Sequence, residues 1–285
     1  MSDSLQALLD LLDLEPLESD LFRGQSPKEN RQRTFGGNVI GQALVAATRT
    51  VEGRRPHSLH AYFMRPGDPN VPIIYDVDCI RDGRSFATRN VVARQHGRAI
   101  YNMAVSFQID EEGPEHQMPM PDVPEPETLP DELERRAAIV HRLPESARER
   151  YLADRAIDIR PVSPVDPTDR TPRPPVGRFW ARTRKPLPDD FDRHECVIAY
   201  ASDMTLSETA LGPHGTTWYS GTHQTASLDH SMWFHRPFRA DEWLLFDQMS
   251  PSSSGARGFN FGNIFTRDGL LVASMTQEAL LRPRQ

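Results

Sequence analysis

The chain has 285 residues, a formal net charge of −7 and two cysteines. The length suffices for two domains of ordinary size, and the acidic balance argues against general nucleic-acid binding, which needs a basic surface. No apolar run is long enough to span a bilayer, so we expect no membrane span.

The cysteines and the chain ends bear on the compartment. Cys79 and Cys196 form no CxxC or zinc pattern, which indicates neither a disulfide framework nor a metal site. Residues 1–4 lack the basic and apolar segments of a secretory signal, and residues 282–285 are not a peroxisomal address. We therefore expect a cytoplasmic protein without metal or cofactor.

Two helices are predicted in the first hundred residues. A leucine stripe over residues 5–14, ended by Pro16, predicts a short amphipathic helix that packs on its own domain. A second helix opens at Gly36 with Asn38 as its expected cap and closes at Gly53. Because this helix is apolar or uncharged on nearly every side, we expect it to be buried.

Four strands joined by short glycine-containing turns are predicted next. They cover residues 57–65, 73–81, 84–95 and 98–109. A buried helix followed by an antiparallel meander is the hot-dog arrangement, in which the sheet wraps the helix.

Residues 113–175 differ in character, since about half of the 25 prolines lie there. This composition predicts a linker that runs over the outside of the protein. Within it, residues 133–160 carry enough apolar positions for one or two helices.

The second half repeats the order of helix and then meander. A strand is predicted at residues 178–182, and a helix is predicted to start at Ser202 and Asp203 and to end at Gly212. Strands then follow at residues 224–238, 243–250, 258–267 and 270–281.

Similar motifs recur at a near-constant offset. The run Leu59–Pro66 resembles Leu228–Phe238, with 236 − 65 = 171 between their arginines, and Arg84 and Arg257 differ by 257 − 84 = 173. A repeat of this length means two similar folding units. The predicted fold is therefore α+β, a double hot-dog, with a first unit at 1–112, the linker at 113–175 and a second unit at 176–285 that carries the catalytic residues.

Several motifs together resemble the type II acyl-CoA thioesterases, a double hot-dog family. They lie in both predicted units, and those of the second unit are long enough to be specific. The motifs are Phe22-Arg23-Gly24, Phe35-Gly36-Gly37, residues 57–67, Tyr75-Asp76-Val77, Tyr200-Ala201-Ser202-Asp203, residues 229–238, residues 256–259 and residues 272–278.

This resemblance implies hydrolysis of fatty acyl-CoA to free acid and CoA by a water held by an Asp, a Thr or Ser, and a Gln. Matched position by position, these residues are Asp203, Ser227 and Gln277, although the family more commonly has Thr at the position of Ser227. The implied partner is the acyl-CoA substrate. We also expect a homo-oligomer, because two lobes leave apolar surface uncovered.

The residue chemistry is consistent with that assignment. Water attacks a thioester once a carboxylate deprotonates it, and helix N-termini near Gly37 or Asp203 could stabilise an oxyanion. The glycines at 36 and 37 are expected to permit close approach of acyl chain or backbone. Asn38, read as the first-unit counterpart of Asp203, cannot take the proton, so we expect one site per chain.

Other interpretations of these residues stay open. Asp203 could only complement a helix dipole, and Ser227 and Gln277 could be ordinary strand side chains. A hot-dog enoyl-CoA hydratase would need a paired Asp and His, whereas a non-catalytic acyl-CoA-binding protein would need none of the three. The histidines lack metal-ligand spacing, and those on strands are expected to make core hydrogen bonds.

Arginines in both meanders are candidates for contact with the charged end of CoA, although a solvated strand face is the alternative. They are Arg81, Arg84, Arg89, Arg94, Arg98, Arg257 and Arg267.

Overall fold

The computed structural model describes residues 4–27, 32–189 and 193–284. Within these ranges the α-helices are α1 Ser4–Leu12, α2 Gly36–Thr48, α3 Glu132–Ile139, α4 Glu145–Leu152, α5 His194–Ser202 and α6 Glu208–Leu211. The strands are β1 Glu15–Pro16, β2 Leu21–Gly24, β3 Arg55–Phe63, β4 Ile73–Asp82, β5 Phe86–Gln95, β6 Arg98–Gln108, β7 Ile157–Pro161, β8 Val176–Thr183, β9 His223–Ser227, β10 Asp229–Phe234, β11 Leu244–Ser254, β12 Arg257–Thr266 and β13 Leu271–Pro283. None of the described helices combines the length and apolar character that crossing a membrane requires.

The strands form one antiparallel sheet in the order β1-β2-β4-β5-β6-β3-β10-β13-β12-β11-β8-β7, and β9 pairs with β13. The predicted double hot-dog is confirmed, because each half is a meander curved around a buried helix. Alternation explains the strands: along β5 the buried residues Ala87, Arg89, Val91 and Ala93 take every second position.

The two halves join edge to edge through β3 and β10, the strands whose sequences resemble each other. Their antiparallel register places Asp229 opposite Tyr62 and Met232 opposite Leu59. Both Leu59 and Met232 are fully buried, so the junction lies over a core that both halves share. The sheets of the two halves are thus continuous.

Helix α2 is buried along residues 37–47, as its uncharged surface predicts. The expected Asn38 cap is wrong, however. The N-cap residue is Phe35, without a side-chain hydrogen bond, and Asn38 lies inside the first turn. The Asn38 side chain is fully buried, and neither amide atom has a hydrogen-bond partner among the described residues.

The prediction that a helix starts at Ser202 and Asp203 is also wrong. Helix α5 instead ends at Ser202, Asp203 is its C-cap residue, and the four-residue α6 follows. The cause is the short apolar run at 196–201, which shows no clear helical period and for which the sequence predicts no element. Periodicity alone cannot distinguish a buried strand from a helix that is buried on most sides.

The segment 113–175 packs on the outer face of the second half. The Trp180 indole donates to the Pro124 carbonyl at 2.9 Å, and Trp180 clusters with Trp243, Leu245 and Phe265. Helices α3 and α4 confirm the helical reading of 133–160, and β7 adds an edge strand beside β8. The proposed domain boundaries stay a prediction.

Substitution at the junction is expected to destabilise the whole chain. Met232→Ala removes a fully buried side chain and should cost about 2–5 kcal/mol of unfolding free energy. Leu59 faces Met232, so the two substitutions Leu59→Ala and Met232→Ala should not be independent. The loss of unfolding free energy in the double variant should differ from the sum of the two single losses by about 0.5–3 kcal/mol. Urea denaturation measures both quantities.

The control for these variants is Ile80→Ala, at a side chain 51% exposed, which should change the unfolding free energy by less than about 0.5 kcal/mol. Additive losses in the double variant at Leu59 and Met232 would argue against a shared core.

Candidate active site

The three residues implied by the sequence lie together. Asp203 Oδ1 accepts a hydrogen bond from Ser227 Oγ at 2.8 Å and another from Gln277 Nε2 at 2.5 Å. Asp203 is 8% exposed and Gln277 is fully buried, whereas Ser227 is half-buried. The carboxylate is therefore shielded from bulk water, and its partly exposed neighbour is the Ser227 hydroxyl.

Strand pairing explains how the hydroxyl and the amide meet. Ser227 ends β9 and lies opposite Ala279 of β13, two residues beyond Gln277. In β13 the inward positions Met275, Gln277 and Ala279 alternate with partly exposed ones, so the amide points to the helices. The break at Leu228 separates β9 from β10, within what the sequence predicts as one strand.

The N-terminus of α2 meets the carboxylate from the other half of the chain. The Gly37 N–H donates a hydrogen bond to Asp203. A Cβ atom on Gly36 would lie 2.5 Å from Asp203 Oδ2, and one on Gly37 would lie 2.2 Å from the Tyr200 carbonyl oxygen. The predicted close approach of backbone at these glycines is thereby confirmed. A side chain at Gly37 would push the helices apart, and one at Gly36 would displace the Asp203 carboxylate.

The helix dipoles act differently from the sequence-based expectation. Asp203 lies at the C-terminal end of α5, where a negative charge is unfavourable, rather than at a helix N-terminus. The favourable dipole comes from α2 through the Gly37 N–H. Asn38 lies in the first turn of α2, whereas Asp203 follows the last turn of α5, so the expectation that the two are counterparts is wrong.

Burial raises the pKa of Asp203 above its ordinary value of 3.8. Hydrogen bonds from Gln277, Ser227 and the Gly37 N–H, together with the charge of Arg33, oppose that rise in the pKa without cancelling it. A carboxylate with a raised pKa is a stronger base than an exposed one, which is the property that proton abstraction from water requires.

Gln277 contributes a second polar atom to the site. Its Oε1 is buried and has no hydrogen-bond partner among the described residues. Since its Nε2 donates to Asp203, the amide orientation is fixed and Oε1 remains an acceptor. The cluster therefore holds a buried amide oxygen, without a partner in the described part of the chain, beside a buried carboxylate, and both groups accept hydrogen bonds.

Two neighbours of the carboxylate were not identified from sequence. The Arg33 guanidinium donates to the Thr225 carbonyl at 2.6 Å and interacts electrostatically with Asp203. Burial, and next the charge of Asp203, raise the pKa of the Tyr101 phenol. Both contacts bridge the two halves, and no local pattern in either segment signals a partner so far along the chain.

His230 makes the core hydrogen bond expected of a strand histidine. Its Nε2 lies 2.8 Å from Ser202 Oγ, and the side chain is fully buried. Burial lowers the pKa of His230 to about 3, so it is neutral over the ordinary pH range. His235 is exposed, as the odd spacing between the two residues predicts.

One candidate arginine for CoA is wrong. Arg89 is buried and donates to the Thr50 hydroxyl, to backbone carbonyls and to Asp82, so it is a structural residue. Arg257 pairs with Glu278, and Arg267 pairs with glutamates of the linker. Those two pairs lie at the surface, and contact of their arginines with CoA stays a prediction.

Comparison with known proteins identifies the family. The model of the acyl-CoA thioesterase N-terminal domain matches residues 26–108, and the acyl-CoA thioesterase model matches residues 171–280. Human acyl-coenzyme A thioesterase 8 is 42% identical, with 95% of this chain and 88% of the relative covered. Acyl-CoA thioesterase 2 of Haemophilus influenzae is 40% identical, with 99% of each chain covered.

A solved structure gives the same result in three dimensions. The acyl-CoA thioesterase II of Mycobacterium marinum superposes with a TM-score of 0.79 at 42% identity, covering 98% of this chain and 99% of the other. Sequence and fold agree, and the chain belongs to the acyl-CoA thioesterase II family of thioester hydrolases.

Proposed function

We propose that this protein hydrolyses fatty acyl-CoA to free fatty acid and CoA, using a water that Asp203 deprotonates. The observation that carries the proposal is the cluster in which Ser227 and Gln277 both donate to one oxygen of a buried carboxylate. The names of the relatives support acyl-CoA as the substrate class. The geometry supports the assignment of roles within the cluster.

The reaction runs in two steps. Asp203 takes a proton from the water while Gln277 Oε1 accepts the other proton in a hydrogen bond, and the oxygen attacks the thioester carbonyl carbon. The resulting tetrahedral oxyanion lies in the positive field of the α2 N-terminus. The carbon–sulfur bond then breaks, the carbonyl re-forms, and the proton held by Asp203 goes to the departing CoA sulfur.

The hydratase alternative needs a histidine paired with the carboxylate. His230 is the buried histidine nearest in sequence to the cluster, but its Nε2 contacts Ser202 rather than Asp203. Its low pKa means that it holds no extra proton to give at neutral pH. For a non-catalytic acyl-CoA-binding protein, a buried carboxylate held by three donors would be a cost in stability without a use. Release of free thiol from acyl-CoA separates the three functions.

Asp203→Asn should abolish most hydrolysis while the fold persists. The amide keeps the shape but cannot take a proton, and general-base contributions are typically about 100- to 10,000-fold. The measurement is thiol release from acyl-CoA together with thermal melting. Gln277→Ala should cost less in rate, because the amide positions the water, and Ser227→Ala should cost a similar amount or less. Near-normal turnover of Asp203→Asn would refute the water-activation mechanism.

Asp229→Asn is the matched control for that substitution. Asp229 is two residues from Ser227, and its carboxylate accepts the Glu278 N–H at 2.7 Å. The asparagine oxygen can accept the same bond, so turnover should stay near that of the parent. A large loss of turnover in Asp229→Asn would show that negative charge near the break between β9 and β10 matters in general, rather than the carboxylate of Asp203.

The raised pKa of Asp203 predicts opposite responses of stability and rate to pH. A carboxyl whose folded pKa exceeds its unfolded pKa contributes stability below the unfolded pKa, and that contribution is lost as pH rises through the folded value. Turnover should rise over the same interval, because the base is then ionised. Melting temperatures and rates measured from pH 3.8 upward test this. As pH rises, the melting temperature of Asp203→Asn should increase relative to that of the parent, because only the parent loses the contribution of the protonated carboxyl. A difference in melting temperature that stays constant with pH would contradict the linkage.

We also propose a homo-oligomer in a reducing cytoplasm. Tyr62 and Met64 are 64% and 44% exposed beside the sheet junction, which leaves apolar surface for a second copy. Cys79 is an exposed free thiol, as a reducing compartment permits. Light scattering at micromolar concentration should give a mass above the 32.3 kDa of one chain, and the monomer mass alone would refute assembly.

A further inference from the structure

A cavity of about 1640 Å³ lies at the opposite ends of α2 and α5 from the catalytic cluster. It is lined by the last turn of α2, the first turn of α5, the start of β3, the end of β6 and the loop between β10 and β11. Asp203, Ser227 and Gln277 do not line it. This volume exceeds the roughly 300–1,000 Å³ of pockets for drug-sized ligands, so it suits a long ligand.

A local twofold axis relates this cavity to the catalytic site. The junction pairs His60 with Ser231, and 231 − 60 = 171 is also the offset of the sequence repeat. Counterpart residues therefore face each other there, and the His60 ring and the Ser231 hydroxyl are 3.1 Å apart. A rotation about this point exchanges the two halves of the sheet.

The strand registers give the counterparts of the catalytic residues. Pro56 lies opposite Phe107 in the first half as Ser227 lies opposite Ala279 in the second. Ser227 and Pro56 are 227 − 56 = 171 residues apart, and their partners Ala279 and Phe107 are 279 − 107 = 172 apart. Subtracting 172 from 277 gives Val105 as the counterpart of Gln277. Pro56 lines the cavity, so the rotation carries the catalytic site onto it.

The surrounding elements correspond as well. The first turn of α5 lines the cavity, as the first turn of α2 meets Asp203. Pro237 lines the cavity at an offset of 237 − 66 = 171 from Pro66, in the equivalent loop. Asp268 and Leu270, in the hairpin between β12 and β13, also line the cavity. The offset 268 − 96 = 172 makes this hairpin the counterpart of the one at His96. We name this space the image cavity.

The image cavity cannot carry out the hydrolysis proposed above. Pro56 has no hydroxyl, Val105 has no amide, and the C-cap residue of α2 is Arg49 where α5 has Asp203. The Arg49 guanidinium donates to the Leu14 carbonyl and to Asp13. No group at these positions can deprotonate a water.

Its walls retain features that suit an amphiphilic anion. Val45, Phe238 and Trp243 supply apolar surface, and the Arg182 guanidinium lies 4.3 Å from the centre of the Trp243 ring. Arg54 and Arg182 both line the cavity, although their Nε–H groups are shielded from solvent and the Arg54 guanidinium donates to the Glu52 and Gly83 carbonyls. Carboxylates also line the cavity, several of them paired: Asp110, Glu125, Glu127, Glu195, Asp241, Glu242 and Asp268.

We propose that the image cavity is a second acyl-CoA site, which binds the thioester without hydrolysing it. The proposal rests on the proposed function, because the ligand class is inferred from the symmetry between this cavity and the catalytic site. The Arg182 guanidinium, which lines the cavity beside Trp243, would contact an anionic oxygen of the ligand, and the apolar walls would contact the acyl chain.

The test is binding stoichiometry with S-dodecyl-coenzyme A, a thioether that cannot be hydrolysed. Equilibrium dialysis should give two molecules per chain for the parent and for Asp203→Asn. Thr48→Trp places an indole in the cavity from the last turn of α2 and should leave one. Leu270→Trp, at the rim and 36% exposed, should weaken the same site if Thr48→Trp fails to fold. The control Leu152→Trp, outside the cavity and 42% exposed, should keep two.

Turnover measured in parallel separates this proposal from the proposed function. A parent that releases thiol from acyl-CoA but binds one thioether overturns the second site alone. A parent that releases no thiol overturns the proposed function. Two bound molecules that persist in both tryptophan variants, or a second site that free CoA fills as tightly as the thioether, would also refute an acyl-CoA site in the image cavity.

Discussion

The hydrogen bond from the Gly37 N–H to Asp203 joins the two halves of the protein at the point where its chemistry is proposed. It requires that the N-terminus of one buried helix approach the C-terminus of the other, since Asp203 is the C-cap residue of α5. That approach leaves no room for a Cβ atom on Gly36 or Gly37. The continuous sheet holds both helices in this arrangement, because β3 and β10 pair directly beneath them.

A buried carboxylate at a helix C-terminus is unfavourable, both through lost hydration and through the dipole of its own helix. Three donors and the α2 dipole offset part of that cost, yet the pKa of Asp203 remains above its ordinary value. In the proposed reaction the residual instability has a chemical use, because the same environment makes the carboxylate a better base. Stability and proposed reactivity therefore depend on one set of contacts, and a change that relaxes the carboxylate would weaken both its burial and its basicity.

Much of the fold could be predicted because strands with one buried face alternate, and the paired motifs reveal the duplication. The predicted strands of the first meander agree with β3 to β6 within two residues at each end. Helix α5 was missed because its short apolar run lacks an amphipathic period. The cluster of Asp203, Ser227 and Gln277 came from family resemblance, since nothing local to a strand serine or glutamine signals a distant partner. The Arg33 contact with Thr225 was unpredictable for the same reason.

Duplication creates two junctions between helix ends, but the local chemistry decides what each can do. At the junction with Asp203, where we propose catalysis, β13 carries an inward amide and β9 ends in a hydroxyl, so the charge of Asp203 has donors. At the other junction the equivalent strand positions are Pro56 and Val105. A carboxylate at the end of α2 would lack the hydroxyl and amide donors that Asp203 has, because proline and valine occupy those two strand positions, and less would oppose its desolvation. The backbone symmetry thus permits two clefts, while side-chain hydrogen bonding permits an ionised base in one of them.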